Sequence, residues 1–171
     1  MGGHLTKGLV RAFYTGVIIP PPVTFGEVLE RHEREVYAYA LRLTGQRADA
    51  DDIFQETFLA AFRAWPPPHT EHLRAWLYRI ATTKMVDRVR RDRRSVSLAD
   101  LRLVAPDGNG PLRADLAAAI RTLPPGQRAA FVLHEVEGQP YREVGAALGC
   151  AEDAARGRVA EAKKKLREAL R

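Results

Sequence analysis

Gln139 to Leu170, QPYREVGAALGCAEDAARGRVAEAKKKLREAL, is the stretch whose reading decides the fold. Val144, Ala147 and Leu148 recur at helical spacing, and Pro140 stands at the start, where a missing N–H does no harm. Gly149 follows the last apolar residue, the position of a left-handed C-terminal cap. A second helix starts near Ala151 and carries Ala155, Val159, Ala162, Leu166 and Leu170 in one stripe. Its other side carries Arg156, Lys163, Lys164 and Arg167. A short helix, a glycine turn and a longer basic helix predict a helix-turn-helix whose second helix is free to enter a DNA major groove. An ordinary helical hairpin with a solvated charged face is the alternative on this stretch alone.

Around this hairpin lies a chain of 171 residues, enough for one ordinary domain or two small ones. With 46% apolar residues it can bury a core. A net charge of +6 and a pI near 9.8 suit a polyanionic partner without identifying one. The single cysteine, Cys150, excludes an intrachain disulfide and fits a reducing, cytoplasmic compartment; in the helix turn it reads as a small buried apolar residue. No run approaches the roughly 18 apolar residues that span a bilayer, so no membrane span is expected. Residues 1–24 hold Leu9, Val10, Phe13, Tyr14, Val17, Ile18 and Ile19, broken by Lys7 and Arg11 and ended by Pro20-Pro21-Pro22. They lack the cleavage pattern of a signal peptide. An upstream arm, a partner-binding segment and a start-codon artefact all remain open for them.

The rest of the chain keeps a helical period. Phe25 to Thr44 carries Val28, Leu29, Val36, Tyr37, Ala40 and Leu41 on one side and charges on the other, and Gly45 breaks it. Ala48 to Trp65 repeats Ile53, Phe54, Phe58, Ala61, Phe62 and Trp65 at three- and four-residue steps. Pro66-Pro67-Pro68 forces a loop, and a third helix runs from about Leu73 to Arg91. Residues 95–111 lose the period and include Pro106, Asp107, Gly108, Asn109 and Gly110, which predicts a linker. Two more helical segments, Leu112 to Leu123 and Gln127 to Glu137, flank Pro124-Pro125-Gly126. No useful strand alternation and no internal repeat is present. The expected architecture is all-α: a domain over 25–94, a flexible linker over 95–111, and a domain over 112–171 that contains the helix-turn-helix.

Asp49, Asp51 and Asp52 occupy the first turn of the second helix, where the helix dipole favours negative charge. Asp52 and Glu56 are one turn apart, but no histidine joins them at ligand spacing, so no metal is expected. Asp51, Asp52, Gln55 and Glu56 read as a protein-docking face or as a plain solvated one. The third helix ends in Lys84, Arg88, Arg90, Arg91, Arg93 and Arg94, preceded by Trp76 and Tyr78. That combination joins phosphate-neutralising charge to π surfaces on which an unstacked base can lie, although Trp76 on its own reads better as core. Two modest DNA-contacting units on one tether gain by effective concentration what neither has alone. No phosphate loop, nucleophile elbow or zinc-spaced Cys/His set supports an enzyme or a cofactor. His4, His32, His69, His72 and His134 are scattered.

These residues, taken in order, resemble the bacterial extracytoplasmic-function sigma factors, group four of the primary-sigma family. The similarity covers about Phe25 to Leu170. It rests on Ala50-Asp51-Asp52-Ile53-Phe54-Gln55-Glu56-Thr57-Phe58, on Trp76-Leu77-Tyr78-Arg79-Ile80-Ala81, on Asp87 to Arg91, and on Leu123-Pro124-Pro125-Gly126-Gln127-Arg128 before the helix-turn-helix. The resemblance implies a transcription initiation factor, not an enzyme, that binds core RNA polymerase and promoter DNA. Asp51, Asp52, Gln55 and Glu56, with Phe58, would dock on the clamp helices of the largest polymerase subunit. The loop Pro68 to Arg74, with His69 and Thr70, would take a flipped base of the −10 element. Trp76, Arg79, Thr83, Lys84, Asp87, Arg88, Arg90 and Arg91 would follow that DNA. Arg142, Arg156, Gly157, Arg158, Ala160, Lys163 and Lys164 would face the −35 duplex, beside a contact to the polymerase flap. An anti-sigma factor is a further implied partner. A stand-alone helix-turn-helix regulator, dimerising through its first domain, is the alternative.

The chain departs from the family pattern in three places. Thr83 replaces an asparagine, keeping a hydroxyl but losing an amide's paired donor and acceptor. Gly157 replaces a hydroxyl residue within the recognition helix, and Glu161 replaces a cation. Arg156 is therefore the expected base reader, by bidentate contact to guanine, with the other cations positioning phosphate.

Overall fold

A computed structural model describes residues 23–67, 72–95 and 111–171, and the helical period is realised there as seven α-helices and one π-helical turn. The first is α1, Phe25–Thr44, which starts in a reciprocal cap. Thr24 Oγ1 accepts from the Glu27 N–H at 3.3 Å, and the Glu27 carboxylate accepts from the Thr24 N–H at 2.7 Å. The helix ends on Gly45 at φ 72°, a left-handed residue whose N–H returns to the Leu41 carbonyl. Helices α2, Arg47–Arg63, and α3, Leu73–Ser95, pack with α1 around Val36, Tyr39, Leu43, Ile53, Leu77, Ala81 and Met85, all buried. The buried Thr82 hydroxyl donates to the Tyr78 carbonyl at 2.7 Å, so Tyr39 donates its own hydroxyl to Thr82 at 2.8 Å. Burial pushes the Tyr39 phenol well above its ordinary pKa, which keeps this pair neutral.

The second unit comprises α4, Pro111–Thr122, α5, Pro125–Phe131, the π-helical turn Val132–Val136, α6, Tyr141–Leu148, and α7, Glu152–Ala169. Leu133, Val144, Ala147, Ala155 and Val159 form its centre, with Ala119, Leu123, Ala162 and Leu166 as a smaller cluster under α4. The turn of the predicted helix-turn-helix is present as read. Gly149 sits at φ 63°, and Gly145 lets the backbone pass so closely that a Cβ there would stand 2.7 Å from the Cys150 carbonyl.

Element boundaries differ from the sequence reading by a few residues. The expected helix over Ala48 to Trp65 stops at Arg63, and the third runs on to Ser95 instead of ending at Arg91. The segment read as one helix from Gln127 to Glu137 begins earlier, with Pro125 in its first turn. It then widens into the π-helical turn, where the Glu137 N–H reaches the Val132 carbonyl at 2.9 Å.

The two units are docked on each other. Helix α3 packs against α5 and α6, α1 packs against the π-helical turn, and one apolar core runs through both units. Arg128 stitches them: its guanidinium donates to the Leu43 carbonyl at 2.8 Å, to the Leu123 carbonyl at 3.2 Å and to the Arg121 carbonyl. Arg42 pairs with Glu137, and His72 lies 3.9 Å from Glu143. The Arg79 guanidinium rests beside Gly149, 3.5 Å from where a Cβ would stand. The expected arm over 1–24 lies outside the described residues up to position 22, and the linker does so over 96–110.

Candidate nucleic-acid and protein interfaces

Helix α2 presents Asp51, Asp52 and Gln55 to solvent and keeps Glu56 partly exposed. Phe58 does not join them. It is 7% exposed, with its ring edge-on to Phe25 at 6.4 Å and tilted on Phe54 at 4.9 Å, so it is core and cannot offer a ring to a partner. The large apolar residues that α2 exposes are Leu59, at 49%, and Phe62, at 61%. Gln55, Leu59 and Phe62 are spaced i, i+4, i+7 and share one stripe, a signal in the sequence that the family motif's Phe58 masked. Phe62 shares the helical period of the buried residues but sits in the last turn of α2, with the Phe25 ring edge-to-face at 5.2 Å.

The acids of α2 are interleaved with the cations of α3. Arg88 bonds both Asp49 and Asp52, the latter at 3.0 Å, while Lys84 and Arg91 stand 3.8 and 3.9 Å from Glu56. Burial opposes the Arg88 charge, but the hydrogen bond to Asp52 and the carboxylates of Asp49 and Asp92 outweigh it and raise its pKa. Tyr37 is bonded to Asp51, and that bond raises the phenol's pKa. The expected docking carboxylates and the expected DNA cations thus partly neutralise one another across one helix seam.

Helix α3 therefore has two polar stripes. Lys84, Arg88 and Arg91 turn toward α2; Trp76, Arg79, Thr83, Asp87 and Arg90 follow one another at three- and four-residue steps on a second face. On that face Arg79, Thr83, Asp87 and Arg90 are exposed, and the Thr83 hydroxyl donates back to the Arg79 carbonyl at 2.9 Å. Trp76 is half-buried against Trp65, so one side of its ring is committed to packing. Tyr78 cannot serve as a stacking surface: it is 1% exposed and its ring lies 4.7 Å from that of Tyr39. Its neighbour in the motif, Arg79, takes the solvent side, because adjacent helical residues point about 100° apart. His69 and Thr70 lie outside the described residues.

On α7 the buried stripe is Ala155, Val159, Ala162 and Leu166, which leaves Gly157, Ala160 and Lys164 on the outward side. Nothing lies within 4 Å of the place of a Gly157 Cβ. Arg156 flanks that side, pairing with Glu152 at 3.0 Å and lying over the Tyr141 ring at 4.9 Å. Lys163, two turns on, pairs with Glu135 at 3.0 Å. Arg158 departs from the expected outward set: it is half-buried and folds toward the start of α5, 3.8 Å from the place of a Gly126 Cβ. Arg142 is exposed at the start of α6, beside Glu143 at 3.3 Å.

Among the described residues, no group of three or more His, Cys, Asp or Glu is placed to hold a metal, and no helix is long and apolar enough to cross a membrane. The family description Sigma-70 region 2 matches residues 28–95, and Sigma-70, region 4 matches residues 113–166. SigE of Mycolicibacterium smegmatis, an ECF RNA polymerase sigma factor, is 37% identical over 86% of this chain, which spans 62% of that protein's length. The RNA polymerase sigma factor CarQ of Myxococcus xanthus is 34% identical over 85% of this chain and 88% of its own. Among solved structures, the sigma factor RpoE in complex with the anti-sigma factor NepR from Bartonella quintana matches at a TM-score of 0.68 and 26% identity, over 85% of this chain and 96% of that one. CnrH in complex with the cytosolic domain of CnrY matches at 0.63 and 32% identity, over 85% and 86%. Two adjoining units that match sigma regions 2 and 4 in order, with relatives aligned across both, make this chain a member of the extracytoplasmic-function sigma factors of RNA polymerase.

Proposed function

We propose that this chain directs core RNA polymerase to promoters by holding the polymerase on α2, capturing −10 DNA with the open stripe of α3, and reading −35 duplex with α7. The observation that carries the reading is the separation of three exposed surfaces on three helices: Gln55, Leu59 and Phe62 with Asp51 and Asp52, then Arg79 to Arg90, then α7 with Arg156 and Lys164. The first is apolar at its centre and acidic at its rim, as a protein interface requires. The other two are cation-rich, as phosphate contact requires. The chain itself does no chemistry; the polymerase supplies it, in the cytoplasm. An anti-sigma factor is its proposed regulator, supported by the NepR complex of the similar RpoE. A stand-alone helix-turn-helix regulator has no use for the region-2 unit.

Docking is tested with Gln55→Ala combined with Phe62→Ala. Asp52 is less suitable, because removing it also takes away one of the two carboxylates that hold Arg88. The double variant is expected to keep its thermal midpoint and to lose about tenfold in affinity for core, about 1.4 kcal/mol, measured by titration with labelled polymerase. Unchanged core affinity would remove α2 from the interface.

A further inference from the structure

Resting on the assignment of Arg156 to −35 reading, we infer that Tyr141 is a positioning residue that sets base discrimination by holding Arg156 in a three-tier stack. The His134 ring lies parallel to Tyr141, 3.9 Å between centroids and 21° between planes. At that separation it fills one face of the phenol. The Arg156 guanidinium, 4.9 Å from the same centroid, therefore takes the other face. Tyr141 is the middle layer, between the π-helical turn and the recognition helix.

Each layer is fixed from outside the stack. His134 Nδ1 is 2.8 Å from the Gln139 carbonyl, and a carbonyl only accepts, so Nδ1 carries the proton and the ring plane is set. Tyr141 is the first residue of α6 and is half-buried against the core. Arg156 is held sideways by Glu152, one turn earlier on α7, at 3.0 Å. Both members of that pair stay accessible, Arg156 at 57% and Glu152 at 49%. The guanidinium is thus ordered without being buried. Stacking leaves the in-plane N–H groups that Glu152 does not take open to solvent, and such an edge is what makes a bidentate contact to guanine O6 and N7. A free arginine would lose side-chain freedom on binding and would take any nearby phosphate equally well. A stacked one is presented edge-first.

The neighbouring cation follows the same plan. Lys163 is held by Glu135, the residue after His134, so the π-helical turn holds one cation of this flank of α7 directly and backs the ring that holds the other. A regular helix would point His134 and Glu135 differently. The widened turn is the local feature that aims His134 at the α6 ring and Glu135 at α7, in keeping with the habit of π-helical turns to appear at working sites.

The experiment uses the full chain with core RNA polymerase and a promoter library randomised across the −35 region, and scores the preference at each base position by sequencing bound DNA. Arg156→Ala is expected to flatten one position by roughly ten- to a hundredfold. Tyr141→Leu is expected to flatten the same position by roughly two- to fivefold, the scale of an exposed cation–π contact, while leaving other positions unchanged. Tyr141→Phe keeps the ring and should restore the preference. Tyr141→Met, an unbranched filler, runs beside Tyr141→Leu with thermal midpoints recorded, so that one folded variant without a ring is available. In an Arg156→Ala background, loss of the ring should have no further effect at that position. Uniform loss across all positions, or flattening by Tyr141→Phe as well, would show a packing role and overturn the inference. If Arg156→Ala alters no position, the −35 assignment of Arg156 fails and the inference falls with it. If Arg156→Ala flattens a position that the ring-less variants leave intact, the assignment stands and only the role of Tyr141 is lost.

Discussion

Gly157 and Gly145 occupy the two helices of the helix-turn-helix and have opposite surroundings. A Cβ at Gly157 meets nothing within 4 Å, whereas one at Gly145 would stand 2.7 Å from the Cys150 backbone carbonyl. Gly157→Ala therefore gains helix propensity without cost, about 0.5–1 kcal/mol, and raises the midpoint by a few degrees. Gly145→Ala gains the same propensity but drives the turn apart, and overpacking of roughly 1–3 kcal/mol outweighs it. Urea unfolding of both variants should show opposite signs. A common sign would mean that the turn does not pack as described. Both are glycines inside a helical period, and the sequence does not distinguish them, because the clash at Gly145 comes from a backbone atom in the turn that follows α6. The same limit explains Phe58 and Phe62. A shared period puts both on one stripe, and only the position of Phe25 and the end of α2 decide which is covered.

At the level of single elements, local signals were readable and relations between helices were not. The bounds of α1 follow from a capping pair and a glycine, and the sequence contains both. The two stripes of α3 are also written in its order of residues. Which stripe would be neutralised depends on where α2 lies, and a list of cations does not contain that. The cap of α1 makes a specific pH dependence. The backbone hydrogen bond from Thr24, with the Thr24 side chain adding to it, holds the Glu27 pKa below its ordinary 4.5. A carboxylate with a depressed folded pKa contributes stability above the ordinary value and loses it as pH falls through the depressed one. Amide protection in the first turn of α1 should therefore be full above about pH 4.5 and decline below it, as hydrogen exchange can follow. Thr24→Ala, which keeps the backbone N–H and removes the hydroxyl, should bring the Glu27 titration only part of the way back. Glu27→Gln should remove the pH dependence of the first turn. A first turn that frays identically in the wild-type chain and in Glu27→Gln across this range would exclude the cap as the cause.

For the whole molecule, the docking of its two units can be assigned to packing or to charge by comparing what each contributes. Arg42 with Glu137 and His72 with Glu143 place basic side chains of the first unit against carboxylates of the second. Arg42 is 43% exposed and His72 55%, and pairs of this kind contribute about 0–1 kcal/mol, less at high salt. Against them stand the apolar seam between α3 and α6 and the Arg128 guanidinium, whose bonds to the Leu43, Leu123 and Arg121 carbonyls belong to both units at once. Removing that guanidinium leaves carbonyls without a partner at roughly 1–3 kcal/mol each. Packing and Arg128 should therefore dominate. With labels on α2 and α7, the distance between the units in the free chain should hardly change between about 0.1 and 1 M salt, where the screening length falls from about 10 to about 3 Å. Arg42→Glu should shift it slightly, and Arg128→Leu should lengthen it or unfold the chain. The docked arrangement also sets Arg79, on the open stripe of α3, against Gly149 in the helix-turn-helix. A strand cannot run along that stripe while the turn sits on it, so binding core with promoter DNA should lengthen the same distance. If salt alone separates the units as far as polymerase does, charge holds them and the packing argument is wrong.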